Sequence, residues 1–190
     1  QTYLGFSYGD RLHLATHHHN EPLVPRERIY GVRGRVDLFG VEVLPLREQD
    51  VHDAAAALIE DGVDAIVGSL LFSYRNPAHE ARVGELLRAA VAESGREIPV
   101  MLSSELYPTR RDLPRLNSTV IEAYAAEPSR ATLRSVSDRT RDDGAGFELR
   151  VMASHGGTIS IDAKELGTTL ISGPIGGVVG TGEGVAAGRQ

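Results

Sequence analysis

Apolar positions recur at helical spacing over two stretches of the chain. After Asp50, a residue suited to an N-cap, Val51, Ala54, Ala55, Leu58 and Ile59 share one face, and Gly62 supplies the stop. Asn76 and Pro77 open a second helix in which Val83, Leu86, Leu87, Ala90 and Val91 fall on one face before Gly95. Val63 to Leu71 and Ile98 to Leu102 are apolar runs with little alternation, the pattern of strands covered on both faces. Residues 63–102 therefore predict a βαβ unit with a right-handed crossover, and the fold class is α/β.

Outside this unit the pattern is more broken. Pro22, Pro25, Gly31, Gly34, Gly40 and Pro45 interrupt short alternating segments, so the first 49 residues predict strands and loops. Two helical stretches, Leu116 to Ala126 and Ser129 to Asp142, are expected on either side of Pro128, with Gly144 and Gly146 ending the second. Phe147, Leu149 and Val151 then alternate with Glu148 and Arg150 as in a half-buried strand that delivers the chain to Ser154. Beyond it, two glycine pairs and a Gly-Pro step predict tight turns flanking a short buried strand, and the last ten residues are expected to fray.

A length of 190 residues suits one substantial core, and 41% hydrophobic with 24% charged residues is ordinary globular composition. The net charge of -6 argues against a broad nucleic-acid or anionic-membrane surface, since both require a basic stripe. Cysteine is absent, which removes disulfides, thiolate metal sites and cysteine nucleophiles. A reducing cytoplasm is the expected location, and no apolar run reaches membrane-span length. The chain begins at Gln1 and reads as mid-protein sequence, so a fragment of a longer protein is expected.

The chemistry concentrates in residues 154–180. There Ser154, Gly156, Gly157 and Thr158, and then Ser172, Gly173, Gly176 and Gly177, combine backbone freedom with hydroxyls, as a phosphate-binding surface needs. The spacing matches neither a Walker loop nor a dinucleotide fingerprint. His155, at the end of a predicted strand, suits a hydrogen-bond donor to phosphate or an acid-base group, or simply satisfies a turn. A triad of Ser154, His155 and Asp162 is rejected, because adjacent residues of an extended segment point to opposite sides. His13, His17, His18 and His19 invite a metal reading, but no carboxylate at fixed spacing accompanies them and a solvated loop accounts for them better. Ser73, Tyr74 and Arg75, or Ser103, Ser104 and Glu105, occupy the carboxyl ends of the predicted parallel strands, where α/β sheets bind ligands, although capping by Ser73 and Asn76 and a turn at Ser103 and Ser104 account for them better. Arg110, Arg111 and Arg115 with Ser118 and Thr119 suit an anion, or pair with Glu105, Asp112 and Glu122 on a wet surface. Lys164 is the sole lysine.

The segments SYRNPAHE (73–80), NSTVIEAYAAEP (117–128), ASHGG (153–157) and LISGPIGGVVG (170–180) resemble the hydantoinase/oxoprolinase family over nearly the whole chain. HLATH, PLVPR, VLPLR, YAAEPSR and RVMASHGGTIS look most like its ketone-carboxylase branch, with His155 where cyclic-amide hydrolases more often carry Asn. The resemblance implies an actin-like, sugar-kinase-like ATPase fold. Residues 1–49 would then be the remnant of a first lobe, 50–112 an α/β unit, and 113–190 a helical connection and the start of a second lobe. It also implies an ATP-dependent ligase subunit that uses a divalent metal (Mg or Mn) to phosphorylate bicarbonate and a ketone enol. Other carboxylase subunits would join the pieces, acetone yielding acetoacetate; the alternatives are ATP-driven opening of a cyclic amide and a non-catalytic assembly role. Ser154, Gly156, Gly157, Thr158, Ser172, Gly173, Gly176 and Gly177 would line the nucleotide cleft, with His155 the catalytic candidate. The family's Asp-containing phosphate loop and its DIGGT-type loop are not in this sequence, and Phe72 stands where relatives commonly carry histidine. The 190 residues alone are therefore expected to be nearly inert.

Overall fold

The computed structural model describes residues 22–187, with side chains as far as Thr181. The histidines at 13, 17, 18 and 19 lie outside the described residues. Two compact units divide the chain between Ala123 and Tyr124.

In the first unit a short antiparallel hairpin, β1 (Arg35–Val36) and β2 (Glu42–Leu44), leads into α1 (Glu48–Glu60). The βαβ unit follows: β3 (Ile66–Gly68), α2 (Ala78–Ser94) and β4 (Val100–Leu102), with Ile66 opposite Val100 and Gly68 opposite Leu102 in parallel register. The expected core is present, since Val51, Ala55, Val63, Ile66, Val83, Leu86, Leu87, Val91 and Ile98 form one buried cluster. α2 ends as anticipated at Gly95, whose φ of 69° is a left-handed conformation that glycine adopts without steric cost. The strands are shorter than the apolar runs suggest: the chain leaves β3 at Gly68 and turns, leaving Leu71 half exposed.

Asp50 plays a different part from the expected N-cap. It lies inside the first turn of α1, where its carboxylate takes the Arg33 guanidinium in a two-point contact of 2.7 and 2.5 Å and the Arg33 backbone N–H at 3.0 Å. This clamp joins the segment before β1 to α1, and the guanidinium holds the Asp50 carboxyl well below the usual carboxylate range. The hairpin is also held by the turn before α2, through hydrogen bonds from Arg75 to Phe39 O and Asn76 to Gly40 O, and by α2 itself, through pairing of His79 with Glu42.

A short helix α3 (Ser103–Leu106) leads to α4 (Asp112–Asp142), which runs unbroken through Pro128. Two helices were expected there. Proline removes one backbone donor and crowds the carbonyl four residues earlier, that of Tyr124, yet the helix continues on both sides of it. In the second unit β5 (Arg150–Met152) and β6 (Thr158–Ser160) form an antiparallel hairpin, followed by a 3-10 turn (Leu166–Thr169) and α5 (Ser172–Ala187). The buried residues here are Ala126, Ala153, Ile161 and Leu166.

The helix α5 corrects the expectation of turns around a strand, and with it the expectation of a fraying tail over residues 181–187. Glycine disfavours a helix because of the freedom it loses, but Pro174 falls in the first turn, where a missing N–H has no intrahelical partner to lose. Tertiary packing supplies the rest. Ile175 and Val179, one turn apart, lie over Gly156 of the hairpin, and Met152 lies beside Gly176.

Two outcomes follow. Asp50→Asn should lower the melting temperature at pH 7. A carboxylate whose pKa is depressed on folding stabilises above its unfolded value and loses that contribution on acidification, so the gap between variant and parent should narrow as the pH falls below about 4; a pH-independent gap in thermal melts contradicts the clamp. Gly177→Ala, in open space on α5, should stabilise the second unit by about 0.5–1 kcal/mol in denaturant titrations, whereas a residue in a glycine-requiring turn would be destabilised.

Candidate functional site

The sequence-predicted residues come together in the second unit. The turn between β5 and β6 is closed by Ala153 N–H donating to Gly157 O at 2.8 Å and Gly156 N–H to Ala153 O at 3.0 Å, with Gly156 at φ 89°. Ser154 ties this turn to the segment leading into α5: its N–H donates to Thr168 O at 2.7 Å, and its hydroxyl accepts the Ile171 N–H at 3.1 Å. The start of α5, with Ser172 and Gly173, is thereby held beside the turn. Gly176 and Gly177 lie one turn further along, inside the helix, Gly176 beside Met152 and Gly177 in open space.

Hydrogen bonding sorts the donors. The amides of Ser154, Gly156 and Gly157 are engaged within the protein, the last by His155 Nδ1 at 3.2 Å. A neutral His155 that accepts at Nδ1 carries its proton on Nε2, so the exposed ring offers one N–H. A Cβ on Gly157 would come within 2.8 Å of that ring, so the glycine is what allows the imidazole its position. The remaining donors are the Ser154 O–H, the His155 Nε2–H and the first-turn amides of α5, which have no intrahelical partner. Thr158 is exposed, and its hydroxyl accepts from Arg150 at 3.3 Å. Lys164 is exposed, on the loop after β6. Among the described residues no group of three or more metal-ligating side chains occurs.

A second polar centre sits at the carboxyl ends of β3 and β4, and the sequence showed only part of it. Glu80 is completely buried. Its carboxylate accepts from Leu70 N–H at 2.7 Å, Ser104 N–H at 2.6 Å and the Ser103 hydroxyl at 2.9 Å. Ser103 Oγ in turn accepts Arg115 Nε–H at 2.9 Å, while Arg115 also donates to Leu70 O at 2.8 Å and Asp112 at 2.6 Å. Asp112 completes the chain of contacts by accepting the Phe72 N–H at 2.9 Å. Arg115 thus pairs with Asp112, one of its expected partners, but in the interior instead of on a wet surface; Glu105 goes to Arg88 and Glu122 to Tyr107. Ser103 and Ser104 are absorbed by the network, whereas the buried Ser73 hydroxyl has no partner among the described residues. Phe72 (φ 60°) and Arg111 (φ 73°) are the two non-glycine residues with positive φ among the described residues, a strain of about 1–3 kcal/mol each. The signal for Glu80 was available: it lies on the stripe of Val83 and Leu87, a charged residue on a buried face.

Two family models match the chain, the hydantoinase/oxoprolinase N-terminal region over residues 6–91 and hydantoinase/oxoprolinase over residues 115–190. The chain belongs to the hydantoinase/oxoprolinase family. Among curated members of that family, it is 51% identical to the acetone carboxylase beta subunit of Xanthobacter autotrophicus over 95% of this chain and 25% of that protein. A nucleotide-free structure of acetone carboxylase, an enzyme of ATP-dependent acetone carboxylation, superposes with a TM-score of 0.84 at 49% identity, covering 97% of this chain and 26% of that one. The ATP-dependent caprolactamase of Pseudomonas jessenii superposes with a TM-score of 0.76 at 29% identity, over 85% of this chain and 23% of that one. The chain therefore spans about a quarter of the length of these relatives. No described helix is long and apolar enough to cross a membrane.

Arg115→Met removes one partner from the buried network and strands the hydrogen-bonding groups of Asp112 and Leu70. Urea denaturation should show a loss of about 3–5 kcal/mol, and a loss below about 1 kcal/mol would mean the network is replaceable.

Proposed function

We propose that this chain is part of an ATP-dependent ketone carboxylase subunit and forms one wall of its nucleotide cleft. The observation that carries the reading is the Ser154 hydroxyl bound to Ile171 N–H, which holds the SHGG turn against the start of α5 in a chain half identical to an acetone carboxylase subunit. The donors left over suit phosphate oxygens: the Ser154 O–H, the His155 Nε2–H, and the amides and hydroxyl of Ser172 and Gly173 at a helix N-terminus. Gly156, Gly157, Gly176 and Gly177 shape this wall, and Thr158 borders it. Bound ATP would supply the phosphoryl group that turns bicarbonate and the ketone enol into reactive partners. The chain's own groups would hold the phosphates, and His155 would donate its Nε2 proton toward a phosphoryl or substrate oxygen.

In this reading the parent fold is actin-like. Residues 1–49 belong to a first lobe, 50–112 form an α/β unit, and 113–190 lead into a second lobe. The divalent metal (Mg or Mn) has no cluster of described side chains to receive it and is assigned to no residue of this chain. The proposed setting is a cytoplasmic hetero-oligomer with other carboxylase subunits, acting on acetone and bicarbonate. The similarity to caprolactamase supports a second reading, ATP-driven opening of a cyclic amide.

The test uses a longer subunit containing this segment, assembled with its partners. Acetone, bicarbonate and ATP should yield acetoacetate, and Ser154→Ala should lower that rate by about tenfold or more while size-exclusion shows normal assembly. Ring opening of hydantoin, oxoproline or caprolactam without acetoacetate formation would favour the second reading. Unchanged rates in Ser154→Ala would remove the cleft assignment, and a lost complex would indicate an assembly role.

A further inference from the structure

The strained turn after β3 is unexplained by the reading above, and it has the features of a binding site. Its positive-φ residue, Phe72, donates its N–H to the carboxylate of Asp112, the neighbour along the chain of the other positive-φ residue, Arg111. The network of Glu80, Ser103 and Arg115 behind them is buried and hydrogen-bonded on every side. Backbone strain persists only where surroundings impose it, and such positions cluster at ligand-binding sites. The turn also lies beyond the carboxyl ends of a parallel strand pair, where open α/β sheets take ligands.

The charge around the turn indicates what it would bind. Arg35 stacks over the Phe72 ring at 5.7 Å, Arg75 lies three residues along and uses Nε on Phe39 O, and Arg110 and Arg111 immediately precede Asp112. All four arginines are exposed, and none has an ion pair among the described residues, in a chain whose net charge is -6. The acidic groups nearby have partners of their own: Asp112 and Glu80 in the buried network, Glu42 with His79, Glu105 with Arg88, and Asp37 with the backbone N–H groups of Phe39 and Val41. Within the turn the Ser73 hydroxyl, 2% exposed, has no partner among the described residues. Unpaired guanidinium forks match planar or tetrahedral oxyanions.

We propose that the Phe72–Asn76 turn, with Arg35, Arg110 and Arg111, is a binding site for the oxyanion of a small molecule, a phosphoryl or carboxylate group. The assignment is independent of the SHGG turn.

Two-dimensional amide NMR of the 190-residue chain would test it, by titration with inorganic phosphate and separately with acetate, each against sodium chloride at matched ionic strength. Saturable shifts at residues 72–76 and 111 are expected. Phosphate saturating at the lower concentration would assign a phosphoryl ligand, and acetate doing so a carboxylate. Arg35→Ala combined with Arg111→Ala should weaken binding by about tenfold, whereas Arg139→Ala, on an exposed arginine of the other unit, should leave it unchanged. Linear shifts shared with chloride, or saturation unaltered in the double variant, would overturn the site. Should the double variant fail to fold by circular dichroism, the comparison with chloride in the parent chain still decides. Saturable shifts confined to residues 154–175 would overturn this site and leave the SHGG reading intact.

Discussion

A buried carboxylate and a buried guanidinium that meet through a serine hydroxyl organise the first unit. Charges removed from water are costly unless every lone pair and N–H is matched, and Glu80 and Arg115 are matched by backbone groups of Leu70 and Ser104 and by Ser103. These contacts draw residues from α2, α3 and α4 to the end of β3. The neighbouring apolar cluster provides the bulk of the driving force, but it is non-directional. The polar network is directional, and it sets where the chain turns after β3 and where α4 begins.

That arrangement also explains how a strained turn survives in an otherwise regular α/β unit. Phe72 cannot relax without giving up the Asp112 contact, and Asp112 is held by an arginine that is itself buried. On the other side of α2, the hairpin is pinned through Phe39 O, Gly40 O and Glu42, and the Asp50 clamp fixes the segment that precedes it. Small elements of two or three residues per strand gain definition from such polar anchors, since their own ladders contribute few bonds.

The second unit solves a different problem. A helix with glycine at six of its sixteen positions is intrinsically weak, and it is held by Ile175 and Val179 against the hairpin turn and by the Ser154 hydroxyl just before its start. The Ser154 hydroxyl is thereby held on the residue just before a helix N-terminus, with the exposed His155 next to it along the chain.

Much of this was legible in the order of the residues. The stripes Val51 to Ile59 and Val83 to Val91, the stop at Gly95 and the parallel pairing of the flanking strands all follow from local periodicity, because amphipathic faces and glycine stops depend on near neighbours. The family resemblance was likewise carried by contiguous segments such as SYRNPAHE and ASHGG. Tertiary structure alone decided that Pro128 lies inside one helix, that residues 172–187 are helical despite their glycines, and that the amides of Gly156 and Gly157 are engaged within the turn. It alone brought Glu80 to Ser103 and Arg115, 23 and 12 residues apart from that serine along the chain. Local propensity reports what a segment prefers on its own, whereas packing against distant partners and satisfaction of buried polar groups exist only once those partners have met.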